Sequence, residues 1–427
     1  MLIEFSVANY RSLQSRQTLS LAKGKGDELA KTNTFKTRAF NDFELLRSAV
    51  VFGPNAGGKT NLWNALQVMR EVVVESASDR HQGDPLPIVP FRLSKKTQEA
   101  PSEFEVTFIA GRVRYQYGFT VTPDRIQEEW LIAYPKGRPQ RWFYRLWNKT
   151  KRRYDWELGN NLTGEKQLWQ KSTRDNALFL STAVQLNSKQ LRAVYDWFKT
   201  TLRITNLHGW GTSFSASLCQ GEEKSRVLDF LRAADLGIDD INVEKGPFEA
   251  SSLPDDMPQV LRDQIAKEMK GQEVLDIQTV HRTAEGLEVT FDFEDESDGT
   301  QRLFAFAGPW IDSLANGYVL VIDELHANLH PRLVRFLVEL FHNKETNPKN
   351  AQLIFTTHET AILSQNLFRR DQIWFCQKNS DQKSELYPLT DFSPRKGRDN
   401  LELAYLSGRY GALPFVRPLR ARSVAGG

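Results

Sequence analysis

One stretch limits the folds open to this chain: Val50-Val51-Phe52-Gly53-Pro54-Asn55-Ala56-Gly57-Gly58-Lys59-Thr60-Asn61-Leu62, in which residues 53–60 satisfy G-x-x-x-x-G-K-[ST]. Each position answers a chemical need. Glycines let backbone N–H groups turn inward and approach phosphate oxygens with no Cβ in the way. Lys59 can reach β- and γ-phosphates, and the Thr60 hydroxyl can complete a magnesium shell. The flanks agree. Upstream, Ala49 to Phe52 is short, apolar and β-branched, as a buried strand should be. Downstream, Leu62, Ala65, Leu66 and Met69 fall at i, i+3, i+4 and i+7, one stripe of a helix. Strand, loop and helix in that order aim a positive helix end at an anion. Gly53, Pro54, Asn55, Ala56, Gly57, Gly58, Lys59 and Thr60 are therefore expected to hold a nucleotide.

Three further motifs lie far downstream. Tyr318-Val319-Leu320-Val321-Ile322-Asp323-Glu324 reads as an apolar strand ending in two acids. Asp323 is placed to bind magnesium through water, and Glu324 to orient or deprotonate an attacking water. Gln352-Leu353-Ile354-Phe355-Thr356-Thr357-His358 is a second apolar strand, and a histidine at such an edge can touch a γ-phosphate. Ahead of both, Ser297-Asp298-Gly299-Thr300 opens a helical run from Gln301, so Ser297 and Gly299 form a candidate anion site at a helix start.

The order of phosphate loop, serine–glycine helix start, acid pair and histidine resembles the ATP-binding-cassette ATPases. More narrowly it is similar to their SMC/RecF-like branch, in which a long insertion separates loop from signature. Ile3 to Ser12 resembles that branch's opening strand and turn, and the resemblance implies that Arg11 lies near the nucleotide. Closer still, the stretches from Asp175 to Ala183, Asp235 to Ile241 and Leu403 to Phe415 resemble AAA-family ATPase subunits of bacterial anti-phage systems of the RloA and AbiL type. The signature departs from the common pattern, reading Ser-Asp-Gly-Thr where relatives have Ser-Gly-Gly-Gln.

The resemblance implies an ATPase with ATP and Mg2+ as cofactors. Each site would combine residues 53–60, Asp323, Glu324 and His358 of one chain with Ser297 and Gly299 of another, in a homodimer or higher oligomer. It further implies a sensor or scaffold role in defence, controlling a separate effector such as a Toprim-like nuclease. A RecF-like DNA-binding repair ATPase is the alternative. The glutamine sensing the γ-phosphate stays open between Gln82 and Gln98. A transporter subunit fits poorly, because the insertion is too long.

The fold class expected is α/β: an ABC-type ATPase head, with a mixed sheet and an antiparallel β subdomain, carrying a compact helical insertion. The boundaries read as 1–175, 176–280 and 281–427. Strands alternate from residue 101 to 160, with aromatics interleaved among Arg138, Arg141, Arg145, Lys149, Lys151, Arg152 and Arg153. That interleaving suits a sheet with aromatic inner positions, or a nucleic-acid surface. The stripe Leu191, Val194, Tyr195 and Phe198 opens a helical pattern across 178–275. With 56 Lys+Arg against 53 Asp+Glu, the net charge of +3 favours no class of partner. Two distant cysteines, no CxxC, an acid at Glu4 and no long apolar run point to a cytoplasmic protein with no membrane partner.

Overall fold

The computed structural model describes residues 1–414 other than 38, 40–42, 206–210, 249–256 and 270–272; the basic tail at 417–422 lies outside the described residues. Strand Ser48–Phe52 sits within a six-stranded sheet of order Leu202–Thr205, Val319–Ile322, Gln352–Thr357, Ser48–Phe52, Ile373–Lys378, Ser384–Pro388. The first five run parallel and the last pairs antiparallel with its neighbour. Both faces are covered, which is why these strands read as unbroken apolar runs. Ala49, Val51, Val319, Val321, Ile354 and Trp374 enter one core. Val50, Phe52, Leu320, Ile322, Leu353, Phe355, Ile373 and Phe375 enter the other.

The first core clamps helix Lys59–Glu75 between this sheet and an antiparallel one. That second sheet has seven strands, in the order Arg153–Leu158, Gln140–Asn148, Ile126–Tyr134, Val113–Val121, Ser102–Ala110, Leu2–Ala8, Gln17–Ser20. Leu62, Ala65, Leu66 and Met69 are all buried in it, as their spacing predicts, each large side chain contributing roughly 1.5–3 kcal/mol. The second core holds helices Lys224–Ala233, Asp298–Asn316 and Pro331–His342. Helix Asp298–Asn316 carries Pro309 in its interior, which frees the carbonyl of Ala305. Ser215 repairs the gap: its hydroxyl donates to Ala305 O (3.4 Å) and accepts from Gly308 N (2.9 Å). The proline is thereby kept and helix Ser213–Cys219 is docked.

The mixed α/β class stands, but the insertion is not purely helical. Helices occupy Phe179–Gln185, Lys189–Asp196, Ser213–Cys219, Lys224–Ala233 and Gln259–Glu268. Between them, Leu202–Thr205 is the edge strand of the core sheet, and Asp240–Pro247 pairs with Glu273–Arg282, which pairs with Glu288–Asp292. A four-residue strand is too short to display its own period, and its partner Val319–Ile322 lies far along the chain. The basic interleaving is also only partly a surface. Arg145 is fully buried in a 2.9 Å ion pair with Glu129, and Arg141 pairs with Glu157 at 2.9 Å.

Candidate active site

Three strand ends meet at one edge of the parallel sheet. The register pairs Ile322 with Phe355, and Thr357 with Phe52, so Gly53 follows level with His358, and Asp323 level with Thr356 on the same strand end. A cleft of about 320 Å³ opens there, walled by Asn55, Ala56, Gly57, Gly58, Lys59, Thr60, Asn61, Glu324, His358 and Lys378.

The loop is braced from behind. A Cβ on Gly53 would lie 2.1 Å from Cys376 O, on the neighbouring strand, so no larger residue fits. Gly58 has φ of 114°, and a Cβ there would meet Ser384 Oγ at 2.1 Å. That hydroxyl donates to Gly57 O (2.9 Å) and lies 2.7 Å from Ser12 Oγ, which accepts from Asn61 Nδ2 (2.6 Å). The loop amides of Gly57, Asn61 and Leu62 close onto Pro54 O and Gly58 O. Those of Gly58, Lys59 and Thr60 find no acceptor among the described residues, as at any uncapped helix start. Lys59 is buried, and its Nζ donates to Gly53 O (2.8 Å) and Pro54 O (3.0 Å). Burial lowers its pKa, against the nearby charges of Glu324, Cys376 and Asp323.

The acid pair is held by a residue from the next strand. Thr356 Oγ1 donates to the buried Asp323 (2.5 Å, at Oδ1) and accepts from the Glu324 amide (2.8 Å). Glu324 sits at φ 53°, a left-handed conformation costing on the order of 1 kcal/mol, and the Thr356 bond helps to fix it. His358, which also lines the cleft, is exposed and its Nε2 lies 3.1 Å from His326 Nε2. His326 has its pKa lowered to about 4, by burial first and then by the neighbouring His358 and Lys59.

This donor set suits a triphosphate with Mg2+. Three amides, a buried cation and no acid in the first helical turn favour an anion. Among the described residues no cluster of three His, Cys, Asp or Glu side chains could hold a metal by itself. A hydroxyl at Thr60 and one carboxylate at Asp323 match a cation that keeps waters and phosphate oxygens as its other ligands.

Not every expected residue joins the wall. Gly53 and Pro54 turn their carbonyls to Lys59, and Asp323 stands behind Glu324 against Thr356. Arg11 is exposed, with its Nε on the Tyr10 hydroxyl at 3.2 Å, and Gln82 and Gln98 lie elsewhere. Ser297 is exposed, its Oγ accepting from Thr300 N (3.2 Å) to cap helix Asp298–Asn316, and Gly299 follows it. Neither Ser297 nor Gly299 borders the cleft of its own chain. Residues that the motifs did not flag are Asn61, His326, Thr356, Lys378 and the braces Ser12, Cys376 and Ser384. Asn61, Thr356 and Ser12 lie inside or beside quoted stretches and His326 lies two residues after Glu324, all within reach of the sequence; Cys376, Lys378 and Ser384 are brought in by strand pairing.

The profile of the family described as "AAA domain, putative AbiEii toxin, Type IV TA system" matches residues 48–364. The chain belongs to that family. No curated protein matches this AAA-family chain. Solved structures similar to it include "Crystal structure of the SmcHead bound to the C-winged helix domain of ScpA", at 13% identity and TM-score 0.40 over 91% of this chain and 97% of that one. The SMC head domain from Thermotoga maritima is similar at 11% identity and TM-score 0.39, over 91% and 98%. An Smc head with an extended coiled coil, bound to the C-terminal domain of ScpA derived from Pyrococcus furiosus, is similar at 12% and TM-score 0.38, over 91% and 96%. No helix among the described residues is long and apolar enough to cross a membrane.

Proposed function

We propose that this AAA-family chain binds ATP with Mg2+ at residues 53–60 and hydrolyses it. The observation that carries the proposal is the single cleft gathering the loop amides, Lys59, Glu324 and His358. Thr60 and Asp323 would hold the magnesium, which would supply charge neutralisation on the phosphates. Lys59 supplies a buried cation to the β- and γ-phosphate oxygens. Glu324 orients the attacking water and accepts its proton, and His358 donates to the γ-phosphate. Ser297 and Gly299 of a second copy complete the site. Ser297 is exposed and Gly299 half-buried, and their place outside the cleft of their own chain supports this division of labour.

In the cell, the ATP-driven assembly is proposed to act as a sensor or scaffold in anti-phage defence, restraining or triggering a separate toxin or nuclease. The family's description, which mentions a toxin and a toxin–antitoxin system, favours that setting over DNA repair. Substitution Glu324→Gln tests the chemistry. Turnover should fall about a hundredfold to ten-thousandfold while ATP binding persists and an ATP-bound dimer accumulates in light-scattering chromatography. Wild-type turnover in that variant would remove Glu324 from the reaction. In phage challenge, the same variant should abolish protection; strong salt-dependent duplex binding with ATP and no effect on phage would favour the repair reading instead.

A further inference from the structure

We infer that His326 is a positioning residue for the proposed hydrolysis: its ring donates to His358, holding that imidazole in the Nδ1–H tautomer and leaving the Nδ1–H for the γ-phosphate. The inference rests on the reading of the cleft as an ATPase site and adds to it a residue, a tautomer and a direction.

The two Nε2 atoms lie 3.1 Å apart, with ring centroids 3.9 Å apart and planes at 70°. The turn after the acid pair makes this contact. Leu325 N donates to Thr356 O (3.2 Å) and Ala327 N to Glu324 O (3.1 Å), which curls His326 against His358, just past the end of strand Gln352–Thr357. A neutral imidazole has one N–H and one lone pair, so one ring must donate and the other accept, and the two hold opposite tautomers. The surroundings of His326 decide which. Its Nδ1 is buried, with no hydrogen-bond partner among the described residues. As the acceptor, His326 would carry its only proton on that Nδ1, an orphaned buried donor. As the donor, it leaves there only a lone pair. Orphaned buried N–H groups are rarer than under-satisfied acceptors, so His326 donates through Nε2. His358 then accepts on Nε2, and its own proton resides on Nδ1, on a ring that lines the cleft beside Glu324 and Lys59. Burial, then His358 and Lys59, keep His326 uncharged at neutral pH.

The experiment uses the full chain as wild type, His326→Ala and His326→Gln, each assayed for kcat and KM with ATP and labelled with 15N-histidine for tautomer-sensitive NMR. His326→Ala should lose about tenfold in kcat with KM changed less than about twofold, because a reacting group loses its orientation and no substrate contact. His326→Gln should recover most of that loss, since its carboxamide can donate to the same nitrogen. His358 should read as Nδ1–H in the wild type and as a tautomer mixture in His326→Ala. An unchanged kcat in His326→Ala, a glutamine variant no better than alanine, or an Nε2–H His358 in the wild type would each overturn the inference. Should the alanine variant fail to fold, the His358 tautomer in wild type and in His326→Gln decides alone. A wild-type chain that splits no ATP defeats the parent reading before any histidine is changed; an active wild type with an indifferent His326→Ala defeats this inference only.

Discussion

Helix Phe179–Gln185 begins with its anion already in place, whereas helix Lys59–Glu75 begins without one. At the first, the Glu129 carboxylate accepts from Phe179 N (2.7 Å) and Leu180 N (3.1 Å), and also from the Tyr117 hydroxyl (3.0 Å). Arg145 pairs with it at 2.9 Å, and both side chains are fully buried. The helix's partial positive charge is spent inside the fold. At the second, no acid occupies the first turn, three amides find no acceptor among the described residues, and a buried lysine adds to the positive field. The same local physics thus builds a structural joint in one sheet and an anion receptor at the edge of the other. What separates them is whether the fold supplies the carboxylate.

The occupied joint should give the larger effect when broken. Glu129→Gln leaves Arg145 buried without its counter-charge, which costs about 3–5 kcal/mol. Urea denaturation should show that loss, while ATP affinity per folded molecule stays unchanged. A stable Glu129→Gln protein would mean that the joint is held by packing and not by charge, and the contrast between the two helix starts would lose its basis.

At the open start the expected effect moves from stability to binding. Lys59→Ala should weaken ATP binding by about a hundredfold or more, read by titration with a fluorescent nucleotide, with little change in thermal stability. Burial already disfavours the Lys59 charge, so its removal relieves a desolvation cost even as two carbonyl contacts are lost. A variant that unfolds while keeping residual affinity would make this lysine a structural group like Arg145.

Much of this contrast was legible in the sequence, and the reason is locality. Residues 53–60, the acids after Val319–Ile322 and the histidine after Gln352–Thr357 all lie at ends of buried parallel strands, where apolar runs and their punctuation are contiguous in the chain. What stayed hidden depends on register between distant segments. Thr356 reaches Asp323 only because two parallel strands align, and Ser384 reaches Gly57 only because Ile373–Lys378 pairs beside Ser48–Phe52. Arg145, one cation among many in a basic and aromatic stretch, gives no sign that it alone is drawn inward to Glu129. Likewise Leu202–Thr205 lies among helices and is a strand only by virtue of its partner.

A third helix start lies between the two extremes and gives the smallest effect. Helix Asp298–Asn316 carries Asp298 in its first turn and the Ser297 hydroxyl as its cap, both exposed. Ser297→Ala should cost about 1 kcal/mol of stability, the worth of a lost cap, and leave the ATP affinity of the isolated chain intact. If this helix start serves the cleft of a second copy, turnover should nevertheless fall. Mixing then separates the cases. A Ser297→Ala chain keeps a working loop, and a Lys59→Ala chain keeps a working signature, so a mixed dimer contains one intact composite site. With random pairing, two poorly active preparations should regain about a quarter of wild-type turnover when combined, as expected of a two-fold assembly. No recovery on mixing, with dimers present, would confine Ser297 to capping its own helix and return the whole site to a single chain.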